Sequence, residues 1–194
     1  MKNKASIKIF IVPIIFIGLF TAFDQLTKFM ITSSFELYES KPVIKDIFSI
    51  TYIRNAGVAW GMFQGGRVLF IVLTILALLF AFKIYHNVAN DRKYIPVRIC
   101  LVLLISGALG NMLDRIRFGY VVDFFDFELI NFPVFNVADM MVVVGMIVLF
   151  ILILFRYGDA EFNEILSMAK HADEAVYAEN DEETDEKFDK EVGL

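Results

Sequence analysis

Residues Ser106–Met140 read SGALGNMLDRIRFGYVVDFFDFELINFPVFNVADM. The stretch begins inside one apolar run and ends inside the next. Between the two it sets Asn111, Asp114, Arg115, Asp123, Asp126, Asn136 and Asp139. Ionisable groups at a membrane boundary are costly, and by default they mark function. Asn136 is placed to cap the second run, and Asp139 falls three residues later in its first turn. The helix dipole favours a carboxylate there, so a capping acid is the purely structural reading of Asp139. Asp123 follows Val121-Val122 in an extended segment. The two acids therefore arrive from different elements and can converge.

The 194 residues are 58% hydrophobic, above the roughly 45–50% of a soluble domain. The excess is gathered in four apolar blocks, which predicts an all-α membrane protein with four transmembrane helices. The expected spans are roughly Ile9–Ile31, a second with its core at Val68–Phe82, a third over 97–113 and a fourth over Phe135–Phe155. Lys2, Lys4 and Lys8 precede the first. No small-residue cleavage site follows it, and Asp24, Gln25 and Lys28 continue its helical phase, so it reads as a span and not a removed leader. The segment Lys83–Arg98 carries Lys83, Arg92, Lys93 and Arg98 against Asp91. Together with the basic start, this predicts cytoplasmic N- and C-termini.

The net charge of −5 hides an asymmetry. From Asp159 onward the chain carries 13 of the 23 acidic and 3 of the 18 basic residues. Residues 1–158 are expected to form the membrane domain, and 159–194 an acidic cytoplasmic tail, partly disordered. Within the tail, Glu161–Asn180 has the pattern of an amphipathic helix. Nothing suggests nucleic-acid binding. The single Cys100 excludes an intrachain disulfide, and His86 and His171 stand far apart, with no ligand pattern around them. Neither metal nor cofactor is expected.

Outside the four spans, Phe48–Ile53 and Val58–Phe63 flank Arg54-Asn55-Ala56-Gly57 and read as a hairpin on the membrane surface. Turn geometry alone would explain Asn55 and Gly57, since both tolerate positive φ. Asp24 and Lys28 share a helix face. They read equally as an ion pair snorkelling at the interface or as part of a pocket. The SGALG patch with Gly107 suits close helix packing. Asn111, Asp114 and Arg115 come at the exit of the third span and can form a polar knot of their own.

Peptide hydrolysis needs an activated water and a proton donor. Two carboxylates held together cannot both ionise easily and so share a proton. One then acts as base and the other as acid. Asp123 and Asp139 are the best pair, with Asp126 weaker. A proton-coupled carrier would also carry such a pair without breaking bonds, and a membrane scaffold would be indifferent to it.

Five blocks resemble a known family: DQLTK (Asp24–Lys28), RNAGVAWG (Arg54–Gly61), SGALGNMLDR (Ser106–Arg115), VVDF (Val121–Phe124) and FPVFNVAD (Phe132–Asp139). Their order and spacing resemble the lipoprotein signal peptidases, or signal peptidase II. The resemblance implies an intramembrane aspartic endopeptidase of a bacterial inner or plasma membrane. It implies cleavage of diacylglyceryl-modified prolipoproteins just before the lipidated cysteine, with Asp123 and Asp139 as the catalytic dyad. It associates Asp24, Lys28, Asn55, Gly57, Gly107, Asn111, Asp114, Arg115, Asn136 and Ala138 with the pocket and its support. It also implies a small extracytoplasmic β-rich cradle. Prolipoproteins and membrane lipids are the expected partners, and a monomer the expected state.

Overall fold

The computed structural model describes residues 2–57, 66–88 and 91–166. Among the described residues, four helices carry spans long and apolar enough to cross a bilayer. They are α1 (Lys2–Ser34), α2 (Arg67–Val88), α3 (Ile95–Phe118) and α4 (Val137–Phe155). Even α4, with 19 residues, rises about 28 Å, close to the roughly 30 Å hydrocarbon core. Outward-facing side chains such as Phe29, Val68, Val143 and Phe155 are half or more exposed. Lipid is as apolar as they are, so this exposure costs nothing in a membrane.

Helix α3 is the hub and packs on α1, α2 and α4. Small residues on α3 and α4 set how near these helices come. A Cβ at Gly107 would strike the carbonyl oxygen of Ala138 on α4, and one at Gly145 would sit 3.1 Å from the Cys100 carbonyl. Pro13 lies inside α1 and cannot donate to the Ile9 carbonyl one turn back. The Tyr85 hydroxyl of α2 donates to that carbonyl instead, at 2.6 Å.

Helix α3 runs to Phe118, beyond the expected end near residue 113. Gly119 stops it at φ 81°, its N–H donating to the Arg115 carbonyl. Asn111, Asp114 and Arg115 therefore sit on the last helical turns, not on an exit loop. Their polarity does not end the helix because α1 supplies partners for Asn111 and Asp114 in place of water.

A small antiparallel sheet has the order β1 (Ser40–Ile44), β2 (Phe48–Asn55), β3 (Val121–Asp126). This corrects the expected hairpin. Phe48–Ile53 is a strand, but its hairpin partner is β1, through a tight turn in which Asp46 takes φ 59°. Its other edge pairs with β3, with Ile53 opposite Asp123 and Asn55 opposite Val121. Residues 58–63, the expected partner, lie outside the described residues. Phe48, Phe125, Phe127 and Phe135 stack together at the sheet's far end.

At the opposite end of the bundle, α5 (Asp159–Leu166) docks on α2 and seals a core of Val88, Tyr94, Val97, Leu101 and Ile165. Glu164 accepts from the Tyr94 hydroxyl at 2.6 Å and pairs with Lys93 at 3.0 Å. The first eight residues assigned to the acidic tail thus pack on the body. An apolar Ile165 outweighs the charge of its neighbours. The tail beyond Leu166 lies outside the described residues.

Candidate active site

The site lies where the sheet meets the near ends of α1, α3 and α4. Its chemistry starts from Asn136, the N-cap of α4. Its side-chain oxygen accepts from the Asp139 N–H at 3.0 Å, and the Asp139 carboxylate accepts from the Asn136 N–H at 3.1 Å. This reciprocal box satisfies two orphan groups of the helix start. It also fixes which way the Asn136 amide faces. Its NH2 group then donates to Asp123 Oδ1 at 2.6 Å and to Asn111 Oδ1 at 3.1 Å.

Asp123 and Asp139 are thereby held by one residue, Asp123 through its side chain and Asp139 through its main chain. Each carboxylate has a second amide donor. Asn55 Nδ2 reaches Asp123 Oδ2 at 3.0 Å, and Asn111 Nδ2 reaches Asp139 Oδ1 at 2.7 Å. Asn55, at the end of β2, does not act through positive φ. Asn55 Oδ1 accepts from the Gly57 N–H at 3.0 Å, a turn that aims the other end of the amide at Asp123.

Behind these amides lies a buried charge cluster. Lys28 Nζ lies 2.9 Å from Asp24, 3.0 Å from Asp114 and 2.8 Å from Asn111 Oδ1. All three of its donor positions are therefore used. Asp24 and Lys28 are 0% and 3% exposed, so the pair does not snorkel. Two buried carboxylates on one ammonium would be costly unless their remaining lone pairs were satisfied. They are satisfied. Asp24 Oδ1 accepts from the Ala138 N–H at 2.9 Å, at the positive end of α4. Asp114 accepts from the Val122 N–H at 3.1 Å and from Gln25 at 2.9 Å. Asp114 is thus joined to α1 and β3, and the expected knot with Arg115 does not form.

Arg115 turns the other way. It lines a cleft of about 490 Å³ together with Asn55, Asn111, Asp123 and Asp139. Its guanidinium lies over the Phe70 ring of α2, 5.1 Å from the centroid. The cleft's other wall is apolar, with Phe132, Met140, Val143 and Val144, all about half exposed. Asp126 is not part of it. It sits further along β3 and accepts from Thr51 at 2.9 Å.

Sequence reasoning missed two supporting residues. Gln25 donates to Asp24, to the Gly110 carbonyl and to Asp114. Gly110 leaves room for Asp24, whose Oδ2 would be 2.5 Å from a Cβ there. Gln25 lies within the Asp24–Lys28 block and Gly110 within SGALG, so their position offered a signal that their residue types did not.

Asp123 is 2% exposed. Burial first, and then the charge of Asp139, push its carboxyl up to about 7, against the pull of the Asn55 and Asn136 amides. A carboxyl there exchanges a proton near neutral pH, which suits acid–base work.

The family model described as Signal peptidase (SPase) II matches residues 16–155, which include every residue of the cluster and cleft. Among curated proteins, a lipoprotein signal peptidase of Clostridioides difficile is 42% identical over 143 residues, 73% of this chain and 94% of that one. One of Halothermothrix orenii is 44% identical over 122 residues, covering 63% and 81%. One of Lactococcus lactis subsp. cremoris is 40% identical over 154 residues, covering 79% and 96%. A solved bacterial membrane enzyme superposes with a TM-score of 0.67 at 35% identity, covering 75% of this chain and 89% of its own.

Proposed function

The chain belongs to the signal peptidase II family of membrane proteases, and from that premise we propose that it is an intramembrane aspartic endopeptidase acting on diacylglyceryl-modified prolipoproteins. Asp123 and Asp139 are the catalytic dyad. The observation that carries this reading is that one residue, Asn136, bonds both carboxylates at the head of a cleft open to the lipid side.

The resting pair holds one proton, and the raised affinity of Asp123 supports placing it there. The other carboxylate takes a proton from water as the oxygen attacks the scissile carbonyl carbon. The protonated carboxyl gives its proton to the carbonyl oxygen. Collapse of the tetrahedral intermediate breaks the C–N bond and passes a proton to the departing amine. One water is consumed, and the pair again holds one proton. Because the pair titrates as a unit, its two steps belong to both residues.

Cleavage falls just before the lipidated cysteine, so the departing amine is that residue's own. The half-exposed Phe132, Met140, Val143 and Val144 let the diacylglyceryl chains stay in lipid while the peptide bond reaches the dyad. Arg115 stands at the cleft wall to take a polar carbonyl of the substrate. The dyad end of the bundle faces outward and both chain ends face the cytoplasm, as the basic segments favour. The protein works as a monomer, since dyad and cleft come from one chain.

The test is to incubate the purified protein with a diacylated prolipoprotein and with its unlipidated form. Release of the signal peptide from the first alone supports the reading, and no release from either refutes it.

A further inference from the structure

Between α1 and α3, at the end of the bundle away from the cleft, runs a second groove of about 470 Å³. Val12, Phe16 and Phe20 line one side of it and Ile99 and Val102 the other. From Ile9 to Phe20 helix α1 rises about 16 Å. That length matches one leaflet, half of a hydrocarbon core of roughly 30 Å. Among the described residues that line the groove, Arg98 is the only charged one. It lies in the first turn of α3, at the same end as Ile9 and Tyr85. Lys83, Arg92 and Lys93 flank that end in the sequence.

We propose that this groove binds an anionic phospholipid of that leaflet, with one acyl chain between α1 and α3 and the phosphate on Arg98. The proposal stands apart from the peptidase reading. The walls offer an acyl chain apolar contact along a whole leaflet. The guanidinium meets phosphate oxygens in a paired geometry that an ammonium cannot copy. An arginine's aliphatic stem can lie along apolar surface while its head reaches the polar layer. The Tyr85 hydroxyl, which donates to the Ile9 carbonyl, lies beside Arg98 and steadies it. The basic residues around the mouth draw anionic headgroups toward it. A zwitterionic lipid presents the same chain and phosphate but adds a cation that this end repels.

The protein would be reconstituted in vesicles of mixed phosphatidylglycerol and phosphatidylcholine. A trace of one lipid would carry a photoreactive group on its acyl chain, and labelled peptides would be mapped. With labelled phosphatidylglycerol the cross-links should concentrate on Val12–Phe20 and Ile99–Val102. With labelled phosphatidylcholine they should be several-fold fewer there. Arg98→Gln should reduce the phosphatidylglycerol signal about tenfold, the size of a lost charge-assisted hydrogen bond, with Arg98→Lys between the two. Ile99→Trp, at an exposed position of the lining, fills the groove and should suppress labelling by both lipids. Unfolding temperature and prolipoprotein cleavage should be nearly unchanged in each variant. Equal labelling by both lipids, labels spread evenly over α1, α2 and α4, or Ile99→Trp without effect would each overturn the proposal. So would Arg98→Gln that folds and labels like the wild type.

Discussion

Lys28 Nζ lies 2.8 Å from Asn111 Oδ1, and this contact joins the buried charge cluster to the carboxylates of the cleft. Asn111 has one acceptor end and one donor end. Lys28 and Asn136 both donate to the acceptor, so the donor end must face Asp139. A residue on α1 that touches neither carboxylate of the cleft thus sets the hydrogen bonding of one of them.

Replacing Lys28 with Met should therefore do two things. It leaves Asp24 and Asp114 buried with no cation, a loss of about 3–5 kcal/mol for a broken buried pair. It also frees the Asn111 amide to turn. Thermal unfolding in detergent should show the first effect. A loss of cleavage per folded molecule should show the second. Asn111→Leu should share the loss of cleavage with less destabilisation, since Lys28 keeps both carboxylates.

Two glycines offer a contrast. Gly107→Ala puts a methyl group against the Ala138 carbonyl, and α4 must shift together with Asp139. The expected cost is about 1–3 kcal/mol, as for overpacked cores, with cleavage reduced further by the displaced carboxylate. Gly18→Ala, on the same bundle, meets nothing within 4 Å and should be neutral or slightly stabilising. Unfolding temperatures of the two variants, measured side by side, check this.

Asp123 binds its proton more tightly when folded than the ordinary 3.8 of an aspartate, up to about 7. The folded state therefore holds more protons between those values, and stability falls as pH rises through that window. Asp123→Asn removes this dependence. The variant should gain on the wild type between about pH 4 and 7, with the gain complete above about 7. Unfolding temperatures of both proteins across pH 4–8 would test it. Cleavage by the wild type should decline on the alkaline side of about 7, as the shared proton is lost.

Truncation at two points separates the role of α5 from that of the residues beyond Leu166. A stop after Gly158 removes Glu164 and the buried Ile165, and one buried aliphatic side chain contributes about 1.5–3 kcal/mol. That protein should unfold at a lower temperature. A stop after Leu166 retains every contact described for α5 and should match the full chain in both unfolding and cleavage.

These residues also show what could be read before the fold was known. The spans were legible because four apolar blocks of bilayer length have few other uses. Asn136 and Asp139 were legible because a cap and its third residue are local. The hairpin partner of Phe48–Ile53 was not, because β1 contains Pro42 and little apolar alternation, and it is held by pairing. The end of α3 was hidden because its polar turns find partners on α1, 80 or more residues away in sequence. The same distance concealed Gln25 and Gly110. The docking of α5 rests on one isoleucine among acids, too weak a pattern to outweigh their charge.

Asp123 and Asp139 are proposed to act as one catalytic unit. Signal-peptide release from a diacylated prolipoprotein, at matched amounts of folded protein, decides it. Wild type, Asp123→Asn, Asp139→Asn and the double variant would be compared, with Asp126→Asn as the control on the same strand. Asn keeps the shape and loses the ionisation. Each single variant should fall by about 10²–10⁴-fold or more, the double variant should be hardly worse than either, and Asp126→Asn should stay near the wild type. Strong release by either single variant would remove that residue from the dyad, and strong release by both would contradict the aspartic mechanism.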